Sequence, residues 1–264
     1  MRFIPILFLL SIIFFEGCST KKAIAPSHKT VPMQTEVQEE DTENFDDEFT
    51  QEHDSIEDNP LSGYNRFMTS FNDTLFIYLA DPISKGYATV FPEILRLGIS
   101  NFIHNIEFPI RFTNTLLQGK LQYSTDELER FIVNSTLGIG GIFNPASTIM
   151  HIPAHNEDFG QTLGYYGVGA GYHVVLPFIG PSNIRDIIGL VGDGYLSPLM
   201  YDKALKELRI PQNYLQSAGI YGFKMVNKNA LHLGAYESLK KDAIDLYPFL
   251  RDIYEQKRTS EIEE

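Results

Sequence analysis

The sequence predicts a mainly α-helical domain made of short amphipathic helices, and three observations lead to this prediction. Apolar residues recur at helical spacing along several segments after Asn59, and each segment starts near a capping residue or a proline. Glycine or proline then ends the segment. The apolar residues are unusually aromatic, with 19 Phe, 14 Tyr and no Trp in the chain. Such stripes are either the core face of a soluble domain or the lipid-facing side of helices at a membrane surface.

The segment from Asn59 to Ile106 predicts two helices. Asn59 is a good capping residue and Pro60 is tolerated in a first turn. Asp81-Pro82 is expected to interrupt the first helix, and the second is expected to start near Pro92. The first apolar stripe contains Tyr64, Phe67, Met68, Phe71, Leu75 and Tyr78, and the second contains Leu95, Ile99, Phe102 and Ile106.

Two more helices are predicted before a glycine-rich stretch. Pro109 opens the third, and Gly119 is suited to end it in the left-handed conformation. Ser124 and Glu127 predict a capping box at the start of the fourth, in which Ser124 caps the backbone and Glu127 reaches back. The fourth helix then stops at Gly138.

Glycine is frequent in the stretches 138–145 and 160–171. The run from Gly167 to Gly171 lacks a convincing preceding strand, following helix and acidic residue about 20 positions on, so it is not interpreted as a dinucleotide-binding loop. Both stretches are interpreted as backbone that turns sharply or approaches another group closely. Tyr172 to Pro177 is expected to be extended. Residues 211–258 are predicted to be helical with an interruption near Pro248, and residues 259–264 to form a frayed tail.

Residues 1–17 have the composition of a signal peptide. Arg2 precedes an apolar run of about a dozen residues, which is too short to span a bilayer. Cys18 follows this run as the only cysteine in the chain, so it cannot be half of an internal disulfide. It resembles the lipid-acceptor cysteine of bacterial lipoproteins, and Ser19 after it resembles an outer-membrane sorting signal. Such signals usually carry an aliphatic and a small residue where this chain has Phe15 and Glu16, so an ordinary cleaved signal is the alternative.

Residues 18–58 are expected to form a lipid-anchored, disordered, acidic linker. No Lys or Arg lies between Lys29 and Arg66, whereas acidic residues crowd the stretch from Glu36 to Asp58. Such a segment cannot bury enough apolar surface to fold. An acidic docking tail for a basic partner is the alternative. The formal net charge of −13 argues against nucleic acid as a partner.

An enzyme is the rival functional class, but the candidate side chains fit no catalytic motif. Their spacing matches no zinc site, and Pro153 would break the helix that such a site would use. Ser182 lacks the nucleophile-elbow pattern. The sequence therefore predicts no catalytic residue, no metal site and no cofactor. The polar groups considered are His104, Glu107, His151, His155, Glu157 and Asp158.

Several short blocks of residues resemble blocks of one known family and follow one another in the same order along the chain. They include Asn59-Pro60-Leu61-Ser62-Gly63-Tyr64-Asn65-Arg66, Asn101-Phe102, Leu117-Gln118-Gly119, Arg130-Phe131, Leu137-Gly138-Ile139-Gly140-Gly141, Asp158-Phe159-Gly160-Gln161-Thr162-Leu163-Gly164, Gly180-Pro181-Ser182 and Arg185-Asp186. On these blocks, residues 59–258 are similar to the MlaA/VacJ lipoproteins. The stretch from Ser197 to Leu239 matches least.

The resemblance implies an outer-membrane component of phospholipid transport that is not an enzyme. Such a protein takes phospholipids mislocalised to the outer leaflet, passes them to a soluble periplasmic lipid carrier and so keeps lipid asymmetry. The implied architecture is a ring of amphipathic helices, embedded from the periplasmic side around a central channel and associated with a trimeric porin. A structural lipoprotein that tethers porins is the alternative, and a lipid-modifying enzyme is a further one.

The resemblance also points to two groups of candidate residues. A Gly-rich hairpin beside the channel is expected to act as a mobile gate, with a static helix-ending turn as the alternative; it contains Gly138, Gly140, Gly141, Ile142, Phe143 and Pro145. Buried amides and guanidinium groups need partners. The polar residues expected to tie helices together or to face the channel are Asn65, Arg66, Asn72, Asn101, Asn114, Arg130 and Asn134.

Overall fold

Helices make up most of residues 59–264, which are the part of the chain that the computed structural model describes. The predicted mainly helical fold is confirmed over this range. The predicted signal peptide, Cys18 and the acidic linker lie outside the described residues.

Helix α1 (Ser62–Leu75) starts next to Asn59, as predicted, and the amide of Leu61 donates a hydrogen bond of 2.9 Å to Oδ1 of Asn59. The predicted break at Asp81-Pro82 is wrong. A π-helical turn over Phe76–Ala80 joins α1 directly to α2 (Asp81–Val90). In this turn the amide of Asp81 bonds the carbonyl of Phe76, five residues back. The wider turn places Pro82 in the first turn of α2, where a missing N–H is tolerated.

The starts of the next two helices agree with the prediction, and that of the fourth does not. α3 (Glu93–Ile106) follows Pro92, α4 (Phe108–Leu117) carries a proline in its first turn, and Gly119 ends α4 with φ +72°. α5 (Leu121–Thr136) begins ahead of Ser124, so the predicted capping box is wrong. Ser124 instead donates to Oγ1 of Thr115. Glu127 is fully buried and accepts from Arg111 of α4, a partner that the local sequence does not reveal.

The second half of the domain contains one small sheet among short helices. The predicted extended segment at Tyr172–Pro177 is confirmed as strand β1, which pairs antiparallel with β2 so that His173 lies opposite Asn183. The elements are α6 (Pro145–Thr148), α7 (Phe159–Tyr165), β1 (His173–Leu176), β2 (Gly180–Asn183), α8 (Ile184–Leu196), a 3₁₀ turn (Lys206–Leu208), α9 (Tyr214–Leu231), α10 (Ala235–Asp242) and α11 (Leu246–Glu263).

Helix α11 begins directly after the interruption that was predicted near Pro248. Residues 243–245 separate α10 from α11, and Pro248 lies in the first turn of α11. The segment predicted as a frayed tail, residues 259–264, is helical up to Glu263. Ile262 fixes the last turns of α11 by packing against Gly164. A Cβ added to Gly164 would lie only 2.6 Å from Cδ1 of Ile262. Lys257 also pairs with Glu261 at 3.3 Å.

The interior of the domain is polar and its surface is apolar. Among residues 59–264, 27 polar or charged residues are buried, whereas the buried apolar side chains other than proline are Ala146, Val175, Ala230 and Tyr247. Many large apolar side chains are exposed, and Leu215 reaches 82%. Water-soluble domains show the reverse distribution. Within the described range, no helix has the length and apolar composition that crossing a bilayer requires.

Candidate functional site

Two cavities of different character meet at the turn of the β-hairpin, and Ile179 and Pro181 line both. The charged cavity has a volume of about 480 Å³ and is lined by Asp158, Ser182, Asp186, Asp193, Tyr254 and Arg258. The apolar cavity has a volume of about 240 Å³ and is lined by Leu75, Phe76, Val175, Phe178, Met225 and Leu250.

An arginine between two aspartates organises the charged cavity. Arg258 of α11 forms bidentate pairs with Asp186, at 3.0 Å from Nε and Nη2, and with Asp158, at 2.8 and 2.9 Å. Asp186 also accepts from Arg185 at 3.0 Å and from the hydroxyl of Tyr254 at 2.7 Å. Burial alone would raise the pKa of Asp186, but the hydrogen bonds from Arg258, Arg185 and Tyr254 outweigh it and lower the pKa to about 2. This carboxylate therefore stays ionised.

Asp193 lies in the same cavity, but its pKa is raised, whereas that of Asp186 is lowered. Its Oδ1 accepts from the side-chain amide of Asn114 at 2.9 Å and from the backbone amide of Phe159 at 3.1 Å. Burial, followed by the charge of Asp158, raises the pKa of Asp193 to about 6. Its position depends on Gly189 of α8, where a Cβ would lie 2.5 Å from the backbone nitrogen of Gly160. This close approach brings α8 onto the start of α7.

Asp193→Asn is expected to stabilise the protein above pH 6 by about 3 kcal/mol, because the pKa of Asp193 is raised from 3.8 to about 6 and a shift of one pKa unit corresponds to about 1.4 kcal/mol. The pKa of Asp193 is higher in the folded state, so the wild type loses stability as the pH rises from about 4 to 6. Asn carries no charge, so the variant should lack this loss. Thermal unfolding in detergent at pH 4 and pH 7 measures the difference, with Asp242→Asn, at an exposed position, as control. An equal gain at both pH values would contradict the assignment.

Asn72 fixes the turn that separates the two cavities. Its amide nitrogen donates to the carbonyl of Leu176 at 2.9 Å, and its oxygen accepts from the amide of Phe178 at 2.8 Å. Phe178 has φ +66°, a conformation that costs a non-glycine residue about 1–3 kcal/mol. Its ring meets Phe71 edge-on, with the ring centroids 5.7 Å apart. Asn72 thus holds a strained turn and also lines the apolar cavity.

Asn65 and Asn114 lie at junctions of the interior. Asn65 donates to the carbonyl of His173 at 2.9 Å and accepts from the amide of Val175 at 2.8 Å, which joins α1 to β1. Asn114 accepts from the hydroxyl of Thr162 at 2.9 Å in addition to its bond to Asp193. Both asparagines are fully buried with partners for their amide groups, as the energetics of burial demand.

Arg130 and Asn134 of α5 hold the segment that follows it. Arg130 is buried and donates to the hydroxyl of Ser147 and to the carbonyl of Ile152, each at 2.6 Å. Asn134 accepts from the amide of Ala146 at 3.1 Å.

The last two predicted polar residues, Arg66 and Asn101, are more exposed. Arg66 pairs with Asp245 near the surface, and Asn101 donates to the carbonyl of Ile142 at 3.2 Å.

The Gly-rich segment between α5 and α6 is a series of turns, whereas the β-hairpin of the domain is the β1–β2 pair. Helix α3 holds the segment through two contacts. Asn105 donates to the carbonyl of Gly140 at 3.2 Å. Gly98 packs so closely against Ile142 that a Cβ added to Gly98 would lie 3.1 Å from Cγ2 of Ile142. Ile142 and Phe143 line a third, apolar cavity of about 440 Å³ along α3. Residues 138–145 do not line the charged or the apolar cavity.

Of the polar groups considered for catalysis, His151 is exposed, and the other five have structural partners. His155 lies 2.9 Å from Asp126, and Glu157 accepts from Lys120 and Gln118 at 2.7 Å. Over residues 59–264, no group of three or more His, Cys, Asp or Glu residues has a geometry that could hold a metal ion.

Sequence reasoning missed Asp193, the Arg111–Glu127 pair and the contacts of Asp73 with Tyr236 and Lys240. Only Asp193 has a local signal. It is an acid between two glycines in the part of α8 that follows Asp186 and is otherwise apolar, and such glycines indicate close packing at that face. The other partners are far apart in sequence.

Comparisons with known proteins agree with the family resemblance. The family model described as MlaA lipoprotein matches residues 57–261. The intermembrane phospholipid transport system lipoprotein MlaA of Escherichia coli K12 is 32% identical over 201 residues, which covers 75% of this chain and 76% of that protein. An uncharacterized protein of Rickettsia bellii is 29% identical and covers 77% of this chain and 76% of its own.

A solved structure from work on the structural basis for maintenance of bacterial outer membrane lipid asymmetry shares the fold. It superposes with a TM-score of 0.65 at 29% identity, and the match covers 77% of this chain and 98% of that one.

Proposed function

Because the chain belongs to the MlaA lipoprotein family, we propose that it removes mislocalised phospholipids from the outer leaflet of the outer membrane and passes them to a soluble periplasmic carrier. No covalent step is part of this proposal.

The observation that carries the proposal is the pair of cavities at the β-hairpin turn. A phospholipid has a charged headgroup and apolar chains, and here a cavity with charged walls adjoins one with apolar walls. Exposing an acyl chain to water costs about 0.8 kcal/mol per CH₂, so about 30 methylenes would face more than about 20 kcal/mol. A path that offers both environments lowers this barrier without a chemical reaction. The central channel of the proposed ring contains these two cavities.

The polar interior supports a position within the periplasmic leaflet. In lipid, exposed apolar side chains are solvated and polar groups must find partners inside the protein. Ile94, Tyr78 and Ile149 are exposed by 70% or more, whereas the buried polar residues described above have such partners. The helices therefore lie in the leaflet without crossing it.

The N-terminal residues and the partners complete the proposal. Cys18 is the lipidated residue that follows a removed signal peptide, and residues 18–58 tether the domain. The binding partners are phospholipid, a trimeric porin in the same membrane and the soluble carrier. The support for these statements is the family membership and the sequence.

The Gly-rich segment is proposed as the gate of the lipid path, and it acts at the third cavity, along α3, and not at the two cavities of the β-hairpin turn. Ile139, Gly140 and Gly141 have φ of +54°, +70° and +97° in succession. A β-branched residue such as Ile139 is strained in this region, and strain of this kind clusters at switch segments. The apolar side chains of Ile142 and Phe143 line the cavity along α3, where they would contact acyl chains.

Deletion of the gene tests the proposed function. The amount of phosphatidylethanolamine that a membrane-impermeant amine reagent labels on intact cells is expected to rise severalfold and to return to normal when the wild-type gene is restored. A porin tether would leave this labelling unchanged and alter only porin recovery. A lipid-modifying enzyme would change the lipid species seen by mass spectrometry. Either of those results would contradict the proposal.

A further inference from the structure

Helix α10 is attached to the domain differently from the other helices that wall the apolar cavity. It contributes no buried residue. Gly234, with φ +85°, precedes it, and Ile244, which is fully exposed, follows it. The segments on both sides of α10 can therefore change their backbone conformation without disturbing a packed core.

The side-chain bonds that the described residues make to α10 all go to α1 and α2. Tyr236 donates to Oδ1 of Asp73 at 3.0 Å, and Lys240 pairs with Asp73 at 2.7 Å. Glu237 pairs with Lys85 at 3.4 Å on the surface. Asp73 is thus the main polar anchor of α10.

Tyr236 also closes one side of the apolar cavity. Its ring packs on Phe76 with the ring centroids 4.3 Å apart. Phe76 begins the π-helical turn, and such turns occur frequently at functional sites. Helix α10 is therefore held over this cavity by the tilted ring contact of Tyr236 with Phe76, by the bonds of Tyr236 and Lys240 to Asp73 and by the surface Lys85–Glu237 pair. All of these contacts can open without unfolding a helix.

The other walls of the apolar cavity are fixed. Met225 lies on α9, whose Asn227 is buried, donates to the carbonyl of Arg96 at 3.0 Å and accepts from the hydroxyl of Tyr87 at 2.9 Å. Val175 is a buried residue of the hairpin. Of the walls in the described part of the chain, α10 is the one that can move at the smallest cost.

We propose that the apolar cavity takes one acyl chain of a phospholipid and that α10 is the wall that opens to admit it from the side. This inference rests on the proposed function and assigns a place and a route to the substrate. The cavity, at about 240 Å³, is smaller than pockets of about 300–1,000 Å³ that enclose whole drug-sized ligands, so it has room for the end of one acyl chain and not for a whole lipid. The headgroup would lie across Ile179 and Pro181 in the charged cavity.

The test clamps α10 to α1 and measures lipid contact directly. The full-length variant Asp73→Cys/Lys240→Cys is placed in phosphatidylethanolamine vesicles and bridged with a bismaleimide that contains a cleavable disulfide. A phospholipid with a diazirine on one acyl chain is then added and photolysed. Mass spectrometry should find label on peptides containing Met225, Tyr236 and Leu250 in the wild type, at least fivefold less in the clamped variant, and recovery after the bridge is cleaved.

Two further variants make the result interpretable. Ser70→Cys/Thr74→Cys carries the same bridge within α1 and should label like the wild type. Lys240→Met removes one bond to Asp73 without new thiols and should label two- to fivefold faster, which keeps the inference testable if the double cysteine variant misfolds.

Two results would overturn the inference. Equal labelling of clamped and unclamped protein would show that α10 is not the route. Absence of label at all three cavity residues would show that the cavity takes no acyl chain. Failure of the proposed function itself would appear separately, as unchanged outer-leaflet phospholipid in the deletion strain.

Discussion

Replacing Arg258 with Met is expected to lower the free energy of unfolding by about 3–5 kcal/mol, because breaking a buried ion pair leaves an uncompensated buried charge. Arg258 is buried and bonds both Asp158 and Asp186 through two atoms each. Without Arg258, Asp186 would keep the hydrogen bonds from Arg185 and Tyr254, in addition to those at the start of α8. Chemical unfolding in detergent, followed by circular dichroism, measures the loss.

Lys257→Met is the matched control, since it makes the same kind of change one residue earlier on the same helix. Lys257 has a side chain that is 70% exposed, and exposed ion pairs contribute at most about 1 kcal/mol. A loss for Arg258→Met as small as that of the control would show that the pairs with Asp158 and Asp186 do not stabilise the fold.

Acid unfolding gives a second measurement on the same variant. The pKa of Asp186 is lowered to about 2 in the folded protein, so its contribution is present above about pH 4 and disappears as the pH falls toward 2. The contribution is about 2 kcal/mol for a shift of this size. The wild type should lose this stability over that interval, whereas Arg258→Met should lose less.

A disulfide between Gly98→Cys and Ile142→Cys is expected to stop phospholipid transport under oxidising conditions and to release it on reduction. A Cβ added to Gly98 would lie 3.1 Å from Cγ2 of Ile142, so the two cysteines can approach the Cβ separation of about 3.5–4.5 Å that a disulfide needs. The bond would fix the Gly-rich segment to α3 and prevent the proposed gate from moving. Outer-leaflet phosphatidylethanolamine on intact cells is the measurement.

The two single cysteine variants are the controls, and both should transport lipid with and without oxidant. Cys18 is the only natural cysteine, so each control carries one engineered thiol. Complete formation of the disulfide with undiminished transport would show that residues 138–145 are a static turn. That result would leave the proposed role of α10 unaffected, because α10 does not include these residues.

Features that depend on a few neighbouring residues could be predicted from the sequence. Asn59, Pro92 and Gly119 mark element ends correctly because capping and left-handed turns are decided within one turn of backbone. The helical class follows from apolar periodicity, and the family follows from blocks of residues along the chain.

The same local reasoning left the direction of each apolar stripe open. A stripe has the same spacing whether it faces a core or a lipid. The structure adds that the buried residues are mostly polar, which supports the proposed lipid-facing arrangement.

Features that depend on distant partners were set by tertiary packing. Ser124 and Glu127 match a capping box in the local sequence. In the structure, Glu127 of α5 instead pairs with the buried guanidinium of Arg111 on α4, so each buried charge has a partner. The chain end after Arg258 forms helix because Ile262 packs on Gly164.

The two cavities depend on the same kind of distant contact. Asp193 meets Asn114, and Asp73 meets Tyr236 and Lys240, across separations that no periodicity encodes. Burial and charge pairing act through space, so the residues that form the candidate site were settled by packing, whereas the helices that carry them were already specified by local sequence.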